Sequence, residues 1–178
     1  MLVRIISGGE PGAEQAALDA AMEAGVEHGG WIPAGRPTEA GPLPDEFLLA
    51  ELPSTDPEAA SSRNVEAADG TVAFFLGRRT PHCDLSERLA STRHRPFLDV
   101  DLQRAEPAAI AQALSIWLRL HGISVLHVTG PRATEEFRAY ARVRAVISLL
   151  LEPRRSDSPR PVVRSGSQRA PDSEIGLR

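Results

Sequence analysis

A short aliphatic run at residues 2–6 stops at Ser7-Gly8-Gly9, and an alanine-rich helical pattern follows directly. Ala13, Ala16, Ala17, Ala20, Ala21 and Ala24 recur on one side of that pattern, beside Leu18 and Met22. Pro11 suits a first helical turn, and Gly25 suits the position just past a helix end. A buried strand, a glycine turn and a helix form the opening of a crossover unit, which implies a parallel neighbour for the first strand. The alternation resumes at Asp56-Pro57-Glu58, which reads as an N-cap with proline at the first helical position and opens a helix to about residue 68. Residues 71–76 (TVAFFL) read as a buried strand, 84–93 as a short helix capped by Asp84, and 96–100 as another strand. An amphipathic helix at 107–121 follows, with Ile110, Leu114, Trp117 and Leu118 on its apolar side. A last strand at 124–128 and a last helix at 134–151 complete the pattern.

Strands alternating with helices pair in parallel through right-handed crossovers. The expected fold is therefore α/β: a Rossmann-like, doubly wound, mostly parallel sheet of four to five strands with helices on both faces, in one domain over residues 1–151. Glycines and prolines crowd residues 26–55, and this stretch reads as a long loop of functional type with a short strand near 48–52. From residue 152 the composition turns to proline, serine and arginine without apolar periodicity, so residues 152–178 read as a disordered tail. That tail has six arginines against four acids and a net charge of +2, which leaves −6 of the chain's −4 for the rest.

The charge balance gives no reason to expect nucleic acid or an anionic membrane as partner. No run approaches the ~18 apolar residues of a membrane span. The opening lacks the long apolar stretch of a signal peptide. The single cysteine, Cys83, excludes a disulfide within the chain. These features together point to a cytoplasmic protein. All 20 basic residues are arginines, so neither a Schiff-base lysine nor a Walker-type phosphate loop is available.

Four segments carry chemistry-bearing residues. In Ser7-Gly8-Gly9-Glu10-Pro11-Gly12, glycines let the backbone approach a ligand, and free N–H groups at the helix start can hold a phosphate or carboxylate. Glu10 and Glu14 flank that helix start; they complement its dipole but repel a bound phosphate. Thr129-Gly130-Pro131-Arg132 offers an arginine that can fork onto an anion. His82-Cys83-Asp84 places three metal-ligating types in a row, but consecutive side chains seldom converge on one ion and no second pair lies at metal-site spacing. In residues 28–36 (HGGWIPAGR), Trp31 beside glycines can give a stacking surface or simply pack.

Taken together in order, these segments resemble the molybdenum-cofactor carrier family, a circularly permuted YpsA-type branch of the SLOG superfamily. Members open I-I-S-G-G-Q-T-G-x-D-x-A-A-L-D-A-A, and this chain reads IISGGEPGAEQAALDAA from Ile5. HGGWIPAGR, GPLP at 41–44, Asn64-Val65, Asp69-Gly70-Thr71 and TGPR at 129–132 match later family motifs, collinearly over roughly residues 4–150. The resemblance implies a Rossmann-like fold, often oligomeric, that binds a nucleotide or the molybdenum cofactor at its glycine loops. It places Ser7, Gly8, Gly9, Gly12, Asn64, Asp69, Gly70, Thr71, Gly130 and Arg132 at the ligand, with no catalytic residue and no metal ligand. The chain departs from the family at Glu10-Pro11, at Glu14-Gln15, at Ala60 and Ser61, and at Pro81-His82-Cys83 and Ser86, where a second glycine loop is expected.

Three readings follow. The first is a non-catalytic, homo-oligomeric binder of a small anionic nucleotide-like ligand. The second is a scaffold whose site has decayed or been repurposed. The third is a nucleotide-processing hydrolase, for which Glu87 is the available glutamate.

Overall fold

The computed structural model describes residues 2–152. The segment read as a tail therefore lies, past Glu152, outside the described residues. Six parallel strands build the main sheet: β1 (Arg4–Ile6), β2 (Glu27–Ile32), β5 (Leu49–Glu51), β6 (Gly70–Phe75), β7 (Phe97–Asp101) and β8 (Val125–Thr129). A small antiparallel pair, β3 (Pro37–Thr38) and β4 (Gly41–Pro42), stands apart from it. The spatial order is β5-β2-β1-β8-β6-β7. The chain thus winds outward from β1 through β2 to β5, then crosses to the other half at β6. The fold is the expected Rossmann-like one, with more strands than the four to five read from the sequence.

Alternation along the strands sorts side chains to two faces. Ile5, Val72, Phe74, Leu126 and Val128 join one core with α1 (Ala13–Glu23), α4 (Pro107–Leu120) and α5 (Ala139–Leu151). Ala13, Ala16, Ala17, Ala20 and Ala21 of the alanine stripe are buried there, which brings α1 close against its neighbours, while Ala24, the C-cap, is exposed. The helices α2 (Pro57–Ala67) and α3 (Pro81–Thr92) pack against each other on the opposite face. No helix among the described residues is long and apolar enough to cross a membrane.

Two helix starts differ from expectation and a third agrees. α3 begins at Pro81, not Asp84, because Thr80 is the N-cap and accepts the Cys83 N–H. Asp84 instead reaches back to Arg79. α5 begins at Ala139, five residues late: the Glu135 and Glu136 N–H groups close a turn onto Arg132 O, and the N–H and hydroxyl of Thr134 within it bond the Glu39 carboxylate. α2 starts as read, with Asp56 accepting the Glu58 N–H at 2.9 Å.

The proline- and glycine-rich stretch holds β2, the β3–β4 pair and β5 rather than one loop. Arg36 organises the excursion between β2 and β5. Its guanidinium donates to the carbonyls of Leu43, Pro44, Phe47 and Leu49 at 2.9–3.0 Å. That clamp presses Leu43, Phe47 and Leu49 onto Leu18 and Ile32 in a second apolar cluster. A lysine ammonium is a point charge without the planar fork and cannot serve four carbonyls in this geometry. Arg36→Lys is expected to cost about 2 kcal/mol and to lower Tm by roughly 4–8 °C. An unchanged melting curve in calorimetry would remove Arg36 from that role.

Candidate functional site

The first and last glycine turns meet at the C-terminal edge of the sheet. Ser7 follows β1 directly, and its hydroxyl donates to the Val128 carbonyl at 2.8 Å. Gly12 bridges to Arg132, while the Ala13 N–H donates to Pro131 O and the Ala133 N–H to Pro11 O, at 3.0 and 2.8 Å. Gly12 has φ +116°, and a Cβ there would lie 2.5 Å from Pro131 O. Gly130 abuts Ala13 on the same seam, and Gly9 abuts Leu43 and Leu49. Side chains at these positions would push the two turns apart.

Beside this seam lies a cleft of about 170 Å³, bounded by Gly8, Glu10, Glu14, Trp31, Asn64, His82, His127 and Arg132, with prolines 33, 37 and 57 at its walls. Its inner end is polar and nearly dry. Glu14 is 3 % exposed. Its Oε1 meets His82 Nε2 at 3.2 Å and accepts from Thr129 Oγ1 at 3.3 Å, and its Oε2 accepts the Glu10 N–H at 3.1 Å. Burial pushes the Glu14 carboxyl up, but the hydrogen bond and charge of His82, with the Glu10 N–H, outweigh it and hold it below the usual carboxylate range. Burial likewise pushes His82 down, and Glu14 overcomes it and raises the imidazole. Both shifts favour the charged forms of the two partners. His127, deeper in β8, is pushed down to about 4 by burial, assisted by the charge of His82 and opposed by Glu14. It is neutral, with Nδ1 3.3 Å from Thr71 Oγ1.

The outer end is held by Glu10. Its carboxylate pairs with Arg132 at 3.0 Å and accepts the Glu39 N–H at 3.1 Å. Burial raises the Glu10 carboxyl above its ordinary value, against the lowering effects of the Glu39 N–H and Arg132. Glu39 lies between β3 and β4 and also bonds Thr134, so this small hairpin is tied across to the turn after β8.

The residues expected at the ligand divide into three groups. Gly8, Asn64 and Arg132 line the cleft. Ser7, Gly9, Gly12 and Gly130 build the turns beside it. Asp69, Gly70 and Thr71 are not in the cleft lining: they open β6, where Thr71 stands in register with the cleft-lining His127 and reaches its Nδ1, while Asp69 lies two residues back toward the N-terminal edge of the sheet. There the Asp69 carboxylate accepts the Ser124 and Val125 N–H groups, both at 2.9 Å. Asn64 lines the cleft with its amide already spent on both backbone groups of Trp31, at 2.8 and 2.9 Å. It positions the tryptophan, over which Arg63 also stacks at 5.4 Å.

Glu14, His82 and His127 are the site residues that motif reading missed. His82 was visible only inside the His-Cys-Asp run, whose three side chains diverge: His82 to Glu14, Cys83 to the Phe74 carbonyl, Asp84 to Arg79. Among the described residues, no group of three or more His, Cys, Asp or Glu side chains is placed to hold a metal ion. Glu87 lies outside the cleft lining and pairs with Arg79, which also binds Asp84 and Asp99.

A doubly wound parallel sheet with a glycine turn and a cleft at its C-terminal edge defines a Rossmann-like architecture. The sequence pattern of the circularly permutated YpsA SLOG family matches residues 5–151, and the chain belongs to that family. It is also similar to a protein of Syntrophus aciditrophicus SB, known from a crystal structure and named there Putative molybdenum carrier protein. The two share 34 % identity over 84 % of this chain and 95 % of that one, with a TM-score of 0.82. No curated protein is significantly similar to the chain.

Proposed function

We propose that this protein is a non-catalytic binder of a small, anionic, nucleotide-like ligand, a class that includes the molybdenum cofactor. The observation that carries the reading is the place of the cleft: the C-terminal edge of the sheet, where the strand order reverses beside β1 and ligands of open α/β sheets bind. The naming of the Syntrophus protein as a molybdenum carrier supports the same class. At about 170 Å³ the cleft is smaller than the ~300–1,000 Å³ that encloses a whole drug-sized ligand. It therefore receives one end of the molecule. The remainder lies toward Arg132, whose side chain is 44 % exposed at the rim.

Removing this cation should weaken binding of a nucleotide or of molybdopterin by about tenfold or more, since a hydrogen bond to a charged group contributes roughly 1.5–3 kcal/mol. Isothermal titration of the wild type and Arg132→Ala with guanosine 5′-monophosphate and with molybdopterin measures this. Equal affinities in the two proteins would sink the assignment of Arg132. Release of free base from the nucleotide would sink the non-catalytic reading.

A further inference from the structure

We infer that Glu14 is an anion built into the first glycine turn, and that it makes the inner end of the cleft a seat for an amino-substituted nitrogen heterocycle rather than for a phosphate. The inference deepens the reading above and rests on it: the ligand enters ring first and leaves its anionic group outside, at Arg132.

Geometry supports the built-in anion. A Cβ at Gly8 would lie 2.8 Å from Glu14 Oε2, so the space that a glycine leaves for an approaching phosphate is filled by the chain's own carboxylate. That carboxylate takes the Glu10 N–H, a turn donor of the kind that otherwise meets a bound anion. Its other two partners, His82 and Thr129, come from α3 and β8, so three separate elements converge on it. The Ala13 N–H, at the start of α1, is spent on Pro131.

Charge decides what else can enter. His82 is committed to Glu14 at 3.2 Å and His127 is buried and neutral, so the inner end holds no unpaired cation for a phosphate. A phosphate there would face a buried carboxylate at close range, where low polarity strengthens the repulsion. An N–H donor meets the opposite situation. A carboxylate has about four acceptor sites, and the three hydrogen bonds in place leave one on Oε2. Trp31, Pro33 and Pro57 supply apolar walls for a ring. Arg132 at the rim pairs with Glu10 through Nη2, and its half-exposed guanidinium has further N–H groups that can take the ligand's anion.

The test is a titration series with guanosine, guanosine 5′-monophosphate and pyrophosphate against the full chain, Glu14→Gln and Arg132→Ala. The wild type should bind guanosine, and saturating pyrophosphate should not displace it; this arm needs no variant. Glu14→Gln should weaken guanosine by about tenfold or more and gain measurable affinity for pyrophosphate. Displacement of guanosine by pyrophosphate from the wild type overturns the inference, as does unchanged guanosine affinity in a folded Glu14→Gln protein. If the monophosphate binds and depends on Arg132 while guanosine alone does not bind, the inference falls and the cleft reading stands. If no nucleoside or nucleotide binds, the cleft reading falls, and failure of Glu14→Gln to gain pyrophosphate then overturns the built-in anion as well.

Discussion

Gly30→Ala is expected to leave little folded protein. Gly30 sits inside β2, where Ser7, the residue after β1, donates its N–H to Gly29 O at 3.0 Å. A Cβ at Gly30 would lie 2.0 Å from Ser7 O, 3.0 Å from Ser7 N and 2.9 Å from Asn64 Oδ1. The first two are backbone directly after a central strand, which cannot move without dismantling its pairing with β8 on the other side. The residue also holds φ at +141°, a region that side chains rarely enter. Strain and overlap together should cost about 4 kcal/mol or more, most of the ~5–15 kcal/mol that holds a typical domain folded. Gly35→Ala is the matched control. Its φ is +83°, but nothing lies within 4 Å of the added carbon, so it should lose only about 1 kcal/mol. Urea unfolding of both variants separates crowding from dihedral strain. Equal midpoints would show that close approach of β1 and β2 is not what requires glycine at position 30.

The same glycine explains why β2 was hidden in the sequence. The segment EHGGWI has no apolar alternation, and two central glycines read as a turn. What requires them is contact between strands 23 residues apart in the chain, which no local pattern records. By contrast, the α1 alanines, TVAFFL and the amphipathic face of α4 each carry their burial in their own spacing, and those elements lie close to where they were read. The site was legible to the same degree. Gly8 and Arg132 were readable because a glycine turn and a following arginine are local features. Glu14 was readable only as a charge near a helix start. Its burial depends on His82, 68 residues away, and on Thr129, 115 residues away. Ser7 and Asn64 have polar side chains of the right kind in the right segments, yet both spend them on backbone groups of neighbouring strands.

Acid should unfold the wild type through His127 and spare a variant that lacks it. His127 is buried and neutral, with a pKa near 4 against an ordinary value of 6.5. Between those values the unfolded chain takes a proton that the folded chain refuses, so stability falls as pH falls through this window. The 2.5 units of difference correspond to about 3 kcal/mol once pH reaches ~4. The charged groups facing His127 act outside this window or do not distinguish the two proteins. His82 has a raised pKa, so its contribution is complete below 6.5 and is lost only as pH rises through the higher folded value. Glu14 has a lowered pKa, so its contribution is present above 4.5 and is lost only as pH falls through the lower folded value. Glu10, with a raised pKa, gains stability as pH falls below its folded value and partly offsets His127, but it does so equally in wild type and variant. His127→Gln keeps a hydrogen-bonding partner for Thr71 and removes the titration. Urea unfolding at about pH 7 and about pH 4.5 should show a loss of roughly 2–3 kcal/mol in the wild type beyond that in the variant. The same loss in both would mean that His127 takes its proton without unfolding, and that the inner end of the cleft admits a second positive charge beside the Glu14–His82 pair.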